Sequence, residues 1–200
     1  MADRSVLLAL LAAFCGLTVV RVVLVYRQTG INPIKLKGDD SIHGVMERIL
    51  KMSITTWLLI SLVYAFAPGM KLWLIPIGYL ETGVVHLAGA TLAAIAILWI
   101  GIAQAHMSAS FRMGIDLSEQ TTLVRHGLFS ISRNPIYVGI LVAVYGFFLM
   151  APNALSFAMT ATAIVGFSVQ VRLEEEYLLS MHGAAYRDYK STVRRWIGTR

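Results

Sequence analysis

The stretch GLFSISRNPIYVGILVAVYGFFLM, residues 127–150, decides how this chain is read. Its second half is apolar enough for a membrane interior, while its first half sets Ser130, Ser132, Arg133 and Asn134 hard against that run. A plain membrane anchor needs only a flanking cation or two. Asn134-Pro135 reads as a helix start, because asparagine is a favoured N-cap and proline is favoured at the first helical position. Such a start leaves backbone N–H groups and the positive end of a helix dipole at the membrane boundary, where an anionic group can bind. Arg133 adds a planar fork suited to a carboxylate or a phosphate. Tyr137, a little further into the helix, places a phenol at membrane depth. The same residues also suit a well-capped transmembrane helix with no further role.

The surrounding composition agrees with a membrane solvent. The 200 residues are 57% hydrophobic and 14% charged, with mean hydropathy +0.69, against about 25% charged residues in soluble domains. The formal charge is +6, but the cations flank apolar runs, as cytoplasmic ends of membrane helices do, so nucleic acid is not indicated as a partner. Cys15 is the only cysteine, which excludes an internal disulfide or a cysteine-rich metal site. The apolar run around it continues to Tyr26 and is too long for a cleaved signal, so it reads as a retained helix.

Helices of about 20 apolar residues cross a bilayer. Five such spans are expected, at about 5–26, 52–67, 83–105, 135–151 and 154–171, in an all-α integral membrane protein that forms one domain over 1–200. KLWLIPIGYLE, residues 71–81, reads as an interfacial turn carrying Trp73 and Tyr79. The cations Arg27, Lys35, Lys37, Arg48 and Lys51 follow span one, Arg112, Arg125 and Arg133 follow span three, and Arg172 to Arg200 follow span five. Only Arg4 and Lys71 fall on the other side. The positive-inside bias therefore puts the N-terminus outside and the C-terminus in the cytoplasm. It also brings the loop 106–134 and the tail from Gln170 to the same membrane face.

That tail supplies carboxylates. Glu174, Glu175 and Glu176 directly follow an apolar span, where a carboxylate is costly unless paired or solvated. Successive helical residues point about 100° apart, so at most one or two of the three can face the bundle. Beyond them, Tyr177, Met181, Tyr186, Tyr189 and Trp196 recur at roughly helical spacing among Arg187, Lys190, Arg194 and Arg195. This predicts a C-terminal amphipathic cytoplasmic helix on the membrane surface.

The two polar segments together carry a resemblance. LVRHGLFSISRNPIYVG, followed after a membrane hairpin by RLEEEYLLSMHGAAYRDYKSTVRRWI, resembles the isoprenylcysteine carboxyl methyltransferase family and its phospholipid methyltransferase relatives, in a bacterial branch. Leu123, Val124, Gly127, Arg133, Pro135, Tyr137 and Gly139 match the first block of the family pattern, and Glu174, Glu175, Leu178, Gly183 and Tyr186 match the second. Phe129 and Asn134 stand where the family usually has tyrosine and histidine, and Gln170 stands where the eukaryotic enzymes have a substrate-associated arginine.

The resemblance implies an integral membrane methyltransferase, in a bacterial inner membrane, that binds S-adenosylmethionine on the cytoplasmic side with the 106–200 half. It implies cofactor contacts from Leu123, Val124, Phe129, Asn134, Pro135, Tyr137 and Glu174, and catalytic candidates in Arg133, Tyr137 and Arg172. Arg112, Gln170 and Arg172 are the substrate-binding candidates. The acceptor is expected to be lipid-borne or small and hydrophobic; carboxylate, amine and thiol chemistries stay open. No metal is expected, since the five histidines show no tight ligand spacing. A nicotinamide-dependent membrane reductase of related fold and a non-catalytic scaffold or transport subunit are the competing readings.

Overall fold

The computed structural model describes residues 4–30, 42–107 and 122–199. Over those residues the chain builds six helices: α1 (Arg4–Thr29), α2 (Ile42–Phe66), α3 (Gly83–Met107), α4 (Pro135–Met150), α5 (Ala154–His182) and α6 (Ala184–Thr192). No strand occurs among them, only isolated bridges pairing Pro76 with Asn153 and Val193 with Thr199. The helices α1, α2, α3 and α5 are long and apolar enough to cross a membrane, and α4 is a shorter apolar helix of 16 residues. This is an all-helical integral membrane protein.

Burial shows the solvent it is built for. Leu7 and Leu11 of α1, Trp57 and Ile60 of α2, Ala93 and Ala96 of α3, Phe147 of α4 and Ala163 of α5 share one core. Yet Val20, Leu59, Val84, Leu98 and Val165 are all more than half exposed on the outside of the bundle. An aqueous surface does not tolerate such a continuous apolar face; lipid does.

The tightest pairing is between α3 and α4. A Cβ on Gly89 would come 2.6 Å from the Gly146 carbonyl oxygen, and one on Gly146 would come 2.7 Å from that of Gly89. Small residues allow this backbone approach, which replaces the hydrophobic drive that lipid cannot supply. Trp99 of α3 then donates its indole N–H to the Pro135 carbonyl at 2.8 Å, tying α3 to the first residue of α4.

Two helices extend ten or more residues beyond their expected spans. α2 begins at Ile42 rather than at 52, and α5 runs to His182 rather than ending at 171. The expected ends marked where apolar residues stop, whereas the backbone ladder continues through Glu, Leu and Ser until Gly183 (φ +52) breaks it. At 1.5 Å per residue, the 29 residues of α5 reach about 43 Å, against about 30 Å of hydrocarbon. Its last third therefore projects past the apolar layer and carries the glutamates to the knot before α4. In the tail, Gly183 separates α5 from α6. α6 ends at Thr192, and the chain then turns back, with Arg194 N–H donating to the Gly198 carbonyl at 2.9 Å.

Candidate functional site

The segment before α4 is a short 3-10 turn, Gly127–Ser130, followed by Ser132, Arg133 and Asn134, each less than a tenth exposed. Gly127 has φ +61, and any Cβ there would collide with the His106 ring at the end of α3. His106 Nδ1 accepts the Leu128 N–H at 3.2 Å. This contact ties the turn to the end of α3. His126 lies edge-on to it at 6.0 Å.

The C-terminal tail covers this turn. Arg133 N–H donates to the Arg194 carbonyl at 3.1 Å, and Gly198 N–H donates to the Ile131 carbonyl at 2.7 Å. The Tyr189 hydroxyl donates to the Phe129 carbonyl at 2.6 Å. Burial pushes the Tyr189 phenol up to about 12, so it remains a donor throughout the physiological range. Tyr186, Tyr189 and Val193 form a small second core against Leu123, Leu178 and Leu179.

Glu175 closes the knot. Its Oε1 lies 3.2 Å from Arg133 Nη2 and accepts Asn134 Nδ2 at 3.0 Å, while Oε2 accepts Arg195 Nη2 at 2.9 Å and Arg195 Nε at 3.2 Å. Hydrogen bonding to Glu175 raises the Arg195 guanidinium further above its ordinary range. Asn134 Nδ2 also donates to the Arg195 carbonyl at 3.1 Å. The side chain expected to cap α4 is thus turned the other way, and α4 starts without a side-chain cap. The amide that would have capped the helix is held by a buried carboxylate and a backbone carbonyl instead.

Several donors are left over. Arg133 is 6% exposed, yet its Nε and Nη1 have no hydrogen-bond partner among the described residues, and neither does the hydroxyl of Tyr186, which is 1% exposed. Buried polar groups are rarely unpaired in a finished fold. The first-turn N–H groups of α4 have no intrahelical acceptor either, as in any helix. Around Glu175 the cluster sums to two guanidinium charges and one carboxylate. These features fit the amino-acid carboxylate of a cofactor such as S-adenosylmethionine.

Glu174, one residue earlier, faces elsewhere. Its carboxylate interacts with the phenol of Tyr137 of α4, and the Gln170 side chain approaches the same phenol. Tyr137 also lies against the Phe167 ring at 5.5 Å. The two adjacent carboxylates are thus split between two clusters, Glu174 with Tyr137 and Gln170 and Glu175 with Arg133, Asn134 and Arg195, while Glu176 is exposed.

The expected site residues sort accordingly. Arg133, Asn134 and Phe129 are buried in the knot, Pro135 opens α4 beside it, and Tyr137, Glu174 and Gln170 meet in the neighbouring cluster. Leu123 and Val124 are partly buried, Leu123 beneath Tyr186 and Tyr189. Arg172 is exposed and joins neither cluster. Arg112 lies outside the described residues. The role of Glu175 was hidden by its two identical neighbours, and Arg195 by the other tail cations.

These clusters lie on the segment that a comparison with protein families picks out. Residues 83–185, just over half the chain, match the model of the phospholipid methyltransferase family. The chain belongs to this family. It is also 27% identical over 166 residues to the protein-S-isoprenylcysteine O-methyltransferase of Tribolium castaneum, which covers 82% of this chain. The chain in turn spans 56% of that relative's length. The family match begins at the first residue of α3 and ends inside α6, so it takes in the α3–α4 pair, the knot and both glutamates.

Proposed function

We propose that this protein is a membrane-embedded, S-adenosylmethionine-dependent methyltransferase acting on a lipid-like or small hydrophobic acceptor. The observation that carries the reading is the set of unpaired buried donors, Arg133 Nε and Nη1 with the Tyr186 hydroxyl, beside the uncapped start of α4. Family membership supports S-adenosylmethionine as the ligand of those donors. With the positive-inside bias, the knot faces the cytoplasm and the N-terminus lies outside, in a bacterial cell membrane.

Bound there, S-adenosylmethionine supplies a methyl group activated by its sulfonium. Arg133 and the first-turn N–H groups of α4 hold its carboxylate. Glu174, oriented by Tyr137, takes its ammonium or ribose hydroxyls. Leu123, Val124 and Phe129 supply apolar contact, and Pro135 sets the helix start. The tail over the turn excludes water, and the spanning helices give a hydrophobic acceptor lateral access. An ionised carboxylate acceptor needs no base. An amine or thiol must lose a proton, for which His106, His126, Tyr137 and a glutamate are the candidate bases. Arg112, Gln170 and Arg172 remain the candidates for acceptor binding.

The test is isothermal titration of S-adenosylmethionine into detergent-purified protein, wild type against Glu174→Ala. Binding by wild type that is lost or clearly weakened in the variant supports the site. A correctly folded wild type that binds neither S-adenosylmethionine nor its demethylated product overturns it. Titration with nicotinamide cofactors then separates a reductase from a non-catalytic scaffold.

A further inference from the structure

At the membrane face opposite the knot, α4 is short. Its 16 residues rise about 24 Å, roughly 6 Å less than the hydrocarbon they must cross. The turn that follows is nevertheless sealed. Ala151 and Asn153 are 0% exposed, Met150 is 2% exposed, and Pro152 and Ser156 are fully buried. The seal is the connection between α2 and α3, made of two 3-10 turns, Pro68–Leu74 and Gly78–Leu80.

This connection is bonded to the hairpin along its backbone. Ile77 N–H donates to the Pro152 carbonyl at 2.9 Å, and Ala154 N–H donates to the Ile75 carbonyl at 3.0 Å. Ile75 sits at φ +56 to make that contact, in the left-handed region, and no other non-glycine residue does so among the described residues. A β-branched residue adopts that conformation only when its surroundings compel it. A second tie comes from Glu81, which accepts the Tyr64 hydroxyl at 2.9 Å and lies 3.4 Å from His86 Nε2. Leu74, Ile77 and Leu80 turn inward onto the core.

The other side of the connection is apolar and uncovered. Leu72 is 78% exposed, Trp73 85%, Ile75 68% and Tyr79 82%. Lys71, the single charged residue of 68–80, does not interrupt this face, because its ammonium lies over the Tyr64 ring at 4.0 Å. The face runs on into the lipid-exposed flanks of the neighbouring helices, through Phe66 of α2 and Val84 of α3.

We propose that 68–80 is a membrane-inserted cap whose partner is the lipid itself. Leu72, Trp73, Ile75 and Tyr79 dock into the acyl–headgroup boundary of the leaflet opposite the knot. Three observations select that occupant: a rigid, charge-free apolar face, tryptophan and tyrosine at its rim, and continuity with the lipid-facing helix surfaces. The cap shields the backbone of a hairpin that ends below the interface, where unpaired peptide groups are costly. This inference does not rest on the proposed activity.

The experiment is spin-label depth measurement in phosphatidylcholine–phosphatidylglycerol vesicles. In a Cys15→Ala background, nitroxides are placed by Trp73→Cys and Ile75→Cys, with Leu98→Cys as a mid-bilayer reference and Arg187→Cys as an aqueous one. The expected result is a several-fold higher ratio of oxygen to nickel-chelate accessibility at 73 and 75 than at 187, approaching that at 98. Ratios matching position 187 overturn the proposal. If the labelled variants do not fold, native fluorescence takes their place, as the difference between wild type and Trp73→Phe. Quenching of that difference signal by brominated acyl chains supports the cap, and quenching by aqueous iodide alone overturns it.

Discussion

At one end of the α4–α5 hairpin, Asn153 and Ser156 form a reciprocal cap at 2.9 and 3.0 Å, and the Ala151 carbonyl accepts from both side chains. At the other end, Asn134 leaves its own helix uncapped to reach Glu175, while two nitrogens of Arg133 find no partner among the described residues. Both helix starts use asparagine, and both asparagines are buried. The side chains of Asn153 and Ser156 find their partners two to five positions away, as helix capping requires. The knot draws on residues 41 to 61 positions away and still has donors to spare. Saturation marks the end that serves only the fold, and surplus marks the end expected to hold a ligand.

The largest effect that breaks this contrast is expected from Glu175→Leu. It leaves Arg133 as an unpaired buried charge, which costs about 3–5 kcal/mol, read as a large fall in melting temperature in detergent. Glu174→Gln sharpens the comparison, because the neighbouring carboxylate lies outside the knot. It should leave the melting temperature near wild type while weakening S-adenosylmethionine by ~1.5–3 kcal/mol, about tenfold or more in Kd. If the two glutamates behave alike in both assays, their separation into two clusters is wrong. At the hairpin end, Asn153→Ala removes a cap and should cost about 0.5–2 kcal/mol of stability without changing cofactor affinity. The smallest effect is expected from Arg172→Ala. Its exposed side chain joins neither cluster, so stability should shift by no more than about 0.5 kcal/mol.

Much of this arrangement was legible in the residues. The all-helical membrane character followed from charge scarcity and run length, and helix starts at Pro135 and Ala154 followed from the Asn-Pro and Pro-Asn punctuation. Helix ends were less legible. α5 runs eleven residues past the expected 171, because hydropathy records where lipid stops and not where the backbone ladder stops. α4 is apolar throughout but shorter than the other apolar helices, a shortness that matters only because 68–80 covers its end.

The candidate site divides in the same way. The sequence by itself determined which groups are available at the membrane boundary: a proline-started helix with an arginine before it, and glutamates at the end of an apolar span. Such features are local, set by residue type and by neighbours within a turn or two. Only the tertiary structure decided which glutamate meets Arg133, which way Asn134 turns, and that Arg195 joins them. Adjacent helical residues diverge by about 100°, so the packing angle of α5 against α4 assigns Glu174 and Glu175 their separate partners. A pattern of residue types carries no information about that angle.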